Sequence, residues 1–186
     1  MLSSVNINKL LDDLRERYPN HCPQLQKNII IINIREQMLY LINNRKIIAS
    51  YIISTAEKGT DNKVGSFKTP LGVHCITEKI GENATLGSIF KARQNTHERA
   101  TILNGKHETS NADNITSRIL WLSGLEDGVN KGGDVDSHDR YIYIHGTDEE
   151  GRLGQPVSHG CIRMKNSDVI ELFDLTPLNI WVNIIQ

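Results

Sequence analysis

The residues of this chain best suited to chemistry lie in one stretch. It runs Tyr141-Ile142-Tyr143-Ile144-His145-Gly146-Thr147, then Gly154-Gln155-Pro156-Val157-Ser158-His159-Gly160-Cys161-Ile162-Arg163-Met164. A histidine ends an apolar, strand-like run, and sixteen residues later a cysteine follows Ser-His-Gly. A thiol attacks well only as its thiolate, and its unperturbed pKa is about 8.5. A neighbouring imidazole lowers that value and takes up the proton. Gly160 has no Cβ, so a substrate carbonyl can approach the backbone closely there. The amides of Gly160 and Cys161 could then donate to a developing oxyanion, worth roughly 3–4 kcal/mol per donor. His159 and Arg163 flank the thiol with groups able to stabilise its anion.

Competing readings of these residue types are weaker. Free cysteine is among the most buried residue types, so Cys22 and Cys75 read as packing. His74 beside Cys75 suggests a metal corner, but neighbouring residues on a strand point to opposite faces. Zinc could claim His145, His159 and Cys161 as three ligands. The closely spaced ligand pairs of structural zinc sites are missing, however. The expectation is an enzyme that uses neither metal nor cofactor.

A chain of 186 residues suits a single core-forming domain. Net charge is −1 and no lysine- or arginine-rich block occurs, which argues against a nucleic-acid partner. No run approaches the ~18 apolar residues of a membrane span. The segment Met1 to Asn8 lacks the basic and apolar regions of a secretory signal, so a cytoplasmic location is expected. Three widely spaced cysteines make a poor disulfide framework, leaving at least one thiol free.

The elements that must position His145 and Cys161 can be read from periodicity. Ile7, Leu10, Leu11, Leu14 and Tyr18 follow helical spacing until Pro19, predicting an amphipathic helix over Asn6 to Tyr18 docked by one face. Asn20 to Gln26 reads as a linker, so residues 1–27 stand before a main domain at 28–186. Ile29 to Ile32, Met38 to Ile42 and Ile47 to Ser54 read as an antiparallel meander, with Asn43-Asn44 as one turn. Lys58 to Pro70 reads as a loop and Gly72 to Glu78 as a strand. Gly81 to Asn114 shows no clean period. Ile119 to Leu122 and Tyr141 to Ile144 are two more strands. Between them Gly124 to Arg140 is glycine-rich with five acidic residues, suggesting a flexible loop. Asn166 or Ser167 can cap a short helix through Phe173, and Asn179 to Ile185 closes the chain as a strand. The fold class is mainly β with small helices.

With these residues in view, the chain resembles the L,D-transpeptidase catalytic domain family. The resemblance rests on Ile144-His145-Gly146-Thr147 and Ser158-His159-Gly160-Cys161-Ile162-Arg163-Met164. Upstream, Ser54-Thr55-Ala56 and Thr69-Pro70-Leu71-Gly72 resemble further family elements, extending the likeness over Asn28 to Gln186. It implies a β-sandwich with a few peripheral helices. It also implies attack by Cys161 on the L,D-peptide bond between diaminopimelate and D-alanine in a muropeptide stem, with His145 as base and acid. The Gly146 carbonyl would orient the imidazole in place of a triad carboxylate. The Gly160 and Cys161 amides would form the oxyanion site. Ser158, His159 and Arg163 would form the surrounding shell, with Arg163 facing a substrate carboxylate. The partner implied is a muropeptide or peptidoglycan stem, with carbapenems as covalent inhibitors.

The acyl group on Cys161 could pass to an amine, giving cross-links, or to water. A cytoplasmic location favours water: an L,D-carboxypeptidase of peptidoglycan recycling. A transpeptidase is the alternative, and a non-catalytic muropeptide-binding module is the reading outside enzymology.

Overall fold

The computed structural model describes residues 4–19, 28–110 and 112–186. The predicted linker at 20–26, and Cys22 within it, lie outside the described residues. The described residues form α1 (Ser4–Arg17), β1 (Asn28–Asn33), β2 (Met38–Asn43), β3 (Lys46–Ser54), β4 (Gly72–Ile80), β5 (Ser88–Lys91) and β6 (Gln94–Arg99). These are followed by β7 (Ile115–Gly124), β8 (Tyr143–Thr147), β9 (Ile162–Met164), α2 (Asn166–Leu175) and β10 (Trp181–Ile185).

The strands run β4-β10-β1-β2-β3-β9-β8-β7-β5-β6, and β4 also pairs with β7. That extra pairing joins the two ends of the eight-strand run into a closed wall, leaving the β5–β6 hairpin hung on β7. Two facing halves therefore enclose one main core, built from Ile30, Ile32, Leu39, Leu41, Ile76, Leu120, Leu122, Ile144, Ile162 and others. Helix α2 adds Val169, Leu172 and Phe173 to it. The mainly β expectation holds.

The isoleucine run of β1 has a simple cause. Ile30 and Ile32 point into the main core, while Ile29 and Ile31 point outward under α1. Both faces are covered, so the strand has no polar alternation to show. Ile7, Leu11 and Leu14 of α1 are fully buried against Ile29, Ile31, Tyr40, Ile42, Val73 and Trp181. Each such side chain contributes about 1.5–3 kcal/mol on burial.

Several local readings shift. The β2–β3 turn is formed by Asn44 and Arg45, both at positive φ, one residue later than expected. The segment without a period contains the β5–β6 hairpin. Strand β8 begins at Tyr143, because Tyr141 is in the left-handed region at φ 57°. Asn166 is the first residue of α2 rather than its cap; the Glu150 carboxylate accepts its amide at 2.8 Å. The segment from Gly124 to Arg140, expected to be flexible, is held by internal hydrogen bonds. Asn130 is fully buried and donates to the carbonyls of Leu71 and Val73, and Glu126 accepts from the Val73 amide at 2.6 Å. Asp136 accepts from the amides of Gly132, His138 and Asp139. The acidic residues here act largely as acceptors for the loop's own backbone.

Candidate active site

Strands β8 and β9 run parallel, with Ile144 opposite Ile162 and His145 opposite Arg163. Paired residues share a face, and successive residues alternate. Ile144 and Ile162 face the core, so Tyr143, His145, Cys161 and Arg163 come out on the other side. The histidine thus reaches the cleft from β8 and the cysteine from the residue just before β9. His145, Ser158, His159, Cys161 and Arg163 line it together with Asp113 and Ile115.

The imidazole of His145 is buried, and its Nδ1 lies 2.7 Å from the Gly146 carbonyl. Nδ1 must carry the proton to donate there, which leaves Nε2 with its lone pair. Gly146 itself has no room for a side chain: a Cβ would stand 2.6 Å from the Thr116 carbonyl and 2.7 Å from Asn166 Oδ1. Asn166 ties this corner together, accepting from the hydroxyls of Thr116 and Ser117 and donating to the Thr147 carbonyl.

The Cys161 loop is fastened to both upstream elements singled out in the sequence. Val157 and Ser158 amides donate to the Thr55 carbonyl at 2.9 Å. The Thr69 hydroxyl donates to the Gly160 carbonyl and accepts from the Ala56 amide. Gly160 sits at φ +136°, a conformation L side chains rarely adopt. Its amide donates to Ser158 Oγ at 3.2 Å, and that hydroxyl donates to the Cys161 carbonyl at 2.6 Å. The expected role of the Gly160 amide at an oxyanion therefore requires it to exchange Ser158 for substrate.

Cys161 is half-buried. Its sulfur lies 3.4 Å from the Tyr143 amide, which donates to it, and donates in turn to the Tyr141 carbonyl at 3.3 Å. Burial beside Phe90, Ile119, Trp121 and Tyr143 pushes the thiol up to about 11, and the Tyr143 amide opposes this only in part. Burial likewise pulls His145 down to about 4. These shifts run against the expected lowering of the thiol by its imidazole, because burial favours the uncharged form of each group.

Arg163, expected at a substrate carboxylate, is only 3% exposed. It pairs with Glu149 Oε2 at 2.8 Å and Asp113 Oδ1 at 2.5 Å. Asp113 in turn accepts from the exposed His159 ring at 2.8 Å. Arg163 and His159 push the Asp113 carboxyl below the usual carboxylate range, against the opposing effect of its burial. Arg163 therefore anchors Asp113 over the cleft instead of offering a free guanidinium. Asp113 and Arg140 were missed from sequence, and Tyr141 was read only as part of a strand. Arg140 and Tyr141 stand three and two residues before β8, but Asp113 stands in a segment without period and carried no signal.

A second cleft of about 400 Å³ is lined by Val64, Phe67, Arg140, Tyr141 and Ile142. The first holds about 110 Å³, and the two share Cys161 and His159. His74 and Cys75 take no part. His74 is fully buried between Ser137 Oγ and the Gly72 carbonyl, and Cys75 is packed in β4. Among the described residues no three His, Cys, Asp or Glu side chains are arranged to hold a metal ion. No helix among them is long and apolar enough to cross a membrane.

Residues 27–184 match the L,D-transpeptidase catalytic domain, and the chain belongs to that family. YqjB of Bacillus subtilis, which its name assigns to the L,D-transpeptidases, is 30% identical over 150 residues, covering 80% of this chain and 66% of its own. LD transpeptidase LdtMt1, solved in complex with imipenem, shares the fold at TM-score 0.51 and 15% identity. The match covers 85% of this chain and 58% of that one. An L,D-transpeptidase from Mycobacterium smegmatis matches at TM-score 0.51 and 13% identity, over 86% and 59% of the two chains. The chain thus spans about two thirds or less of the length of these relatives.

Proposed function

We propose that the protein is a cysteine acyltransferase acting on the L,D-peptide bond between diaminopimelate and D-alanine in a peptidoglycan stem. The observation that carries this reading is the shared cleft of Cys161 and His145, with Nδ1 committed to Gly146 and Nε2 left with its lone pair. Family membership supports it.

The neutral resting pair sets the order of events. As a carbonyl carbon approaches Cys161, Sγ forms the C–S bond while its proton passes to His145 Nε2. The Cys161 amide meets the oxyanion, joined by Gly160 once Ser158 releases it. Collapse breaks the C–N bond, and His145 returns its proton to the departing D-alanine amine. A thioester remains on Cys161. An incoming amine then attacks, giving its proton to His145, and the restored thiolate takes that proton back.

Two clefts share Cys161, and room for a donor in one and an acceptor in the other would support transfer to an amine as the main outcome. Hydrolysis, the L,D-carboxypeptidase branch, is the same thioester resolved by water, and the partial exposure of Cys161 supports it as a competing path. The test is incubation with disaccharide tetrapeptide followed by mass spectrometry. Cross-linked dimer as the main product is expected; tripeptide alone would assign the hydrolytic branch. A carbapenem such as the imipenem bound by LdtMt1 is expected to acylate Cys161, seen as a mass shift absent from Cys161→Ala.

A further inference from the structure

Two guanidinium groups act directly on Cys161, and both are already occupied; a third reaches it only through Tyr141 and Tyr143. Arg163 is buried between Glu149 and Asp113. Arg140 donates to the carbonyls of Asp61 and Lys68 and to Ser66 Oγ. The third, Arg93, is half-exposed at the tip of the β5–β6 hairpin. Among the described residues it makes no ion pair. Its side chain donates from Nη1 to Tyr143 Oη at 3.3 Å, and Glu78 acts on it at longer range.

Its placement is nonetheless built. Ala92 and Arg93 occupy the two turn positions at φ 46° and 68°, left-handed values that favour glycine or asparagine. The hairpin is anchored by Phe90, which is buried in the cluster against which Cys161 packs. The turn lays the guanidinium over Trp121, 4.8 Å from its ring centre, and beside Tyr141 at 5.1 Å. Trp121 is backed by His138, stacked at 4.0 Å and nearly parallel. This aromatic platform leads to the sulfur: the Tyr143 amide and the Tyr141 carbonyl both contact it. A cation fixed on aromatic rings keeps its outward N–H groups aligned for a planar, two-oxygen acceptor.

We propose that Arg93 is a specificity residue that receives a carboxylate of the peptide acylating Cys161. This rests on the acyl-transfer reading above. Two carboxylates of that substrate meet the chemistry: the side-chain carboxylate of the diamino diacid on the acyl side, and the C-terminal carboxylate of the departing residue.

The experiment compares D-alanine release from a free-acid tetrapeptide with release from two variants. One is amidated at the diamino diacid; the other ends in D-alaninamide, and its released amine is measured instead. The wild-type protein is expected to lose about ten-fold or more in kcat/KM on one of the two amides, chiefly through KM. That amide identifies the carboxylate. Arg93→Gln is expected to impose the same loss on the free acid and no further loss on that amide. Arg93→Lys should recover part of the preference. Equal turnover of all three substrates by wild-type protein would overturn the proposal, whether or not either variant folds. So would an Arg93→Gln loss of equal size on all three, which would mark a packing role. Absence of turnover of every substrate by wild-type protein would instead sink the acyl-transfer reading, so the two failures are distinguishable.

Discussion

At the scale of single residues, the site is defined by two groups held neutral. A thiol pushed up to about 11 is almost wholly protonated at pH 7, so the free enzyme should be slow to alkylate. Iodoacetamide labelling of Cys161 is expected to accelerate steadily as pH rises through 8 to 11. Rapid labelling that is flat between pH 6 and 8 would show a preformed ion pair instead. The same burial affects stability. His74 and His145 are both held at about 4 against an ordinary 6.5. Below pH 6.5 the unfolded chain takes up protons that these folded imidazoles do not. Stability should therefore be unaffected by them above about pH 6.5, fall as pH drops towards 4, and reach its full loss below that. The loss is roughly 3 kcal/mol for each group. Denaturant melts of wild type and His74→Gln at pH 7 and 4.5 check this, since the cost of the substitution should shrink at the lower pH. An unchanged cost would contradict it. At this scale the grouping of His145, Ser158, His159 and Cys161 along one cleft was legible, because they are local in the chain. What charge state the pair adopts was not, since Phe90, Ile119 and Trp121 desolvate it from distant positions.

At the scale of elements, the site depends on a corner where β7, β8 and α2 meet at Asn166. Its amide group satisfies Thr116, Ser117, Thr147 and Glu150 at once. Asn166→Ala leaves these buried partners unmatched and is expected to cost about 2–4 kcal/mol in unfolding free energy. A loss below 1 kcal/mol would mean that the corner carries little. Residue type alone suggested a helix cap here, because asparagine at a helix start usually serves that purpose. The carboxylate that caps it, Glu150, comes from a short 3-10 turn that no spacing connects to the helix. The β5–β6 hairpin was illegible for a related reason. Its strands are short, its exposed face is polar, and its turn carries Ala92 and Arg93 where turn chemistry would lead one to expect glycine or asparagine.

At the scale of the whole molecule, the wall is closed by the β4–β7 pairing and covered on one outer face by α1. The amphipathic helix and the isoleucine strand were both readable, but not that each explains the other: β1 is apolar throughout because α1 covers its outer face. Leu14→Ala is expected to destabilise by about 2–5 kcal/mol, with kcat within about two-fold of wild type at temperatures where both are folded. A large fall in kcat without loss of stability would tie α1 to the chemistry after all. Closure through β4 and β7 could not be foreseen, since it joins segments whose patterns each fit an ordinary two-sided strand.

The central claim is that one sulfur, served by one imidazole, forms the acyl bond. It is tested most directly by D-alanine release from a defined disaccharide tetrapeptide, comparing wild type with Cys161→Ala and His145→Gln. Turnover by wild type, none by Cys161→Ala, and a loss of roughly 10²–10⁴-fold in His145→Gln are predicted. Release by Cys161→Ala at the wild-type rate would contradict the account.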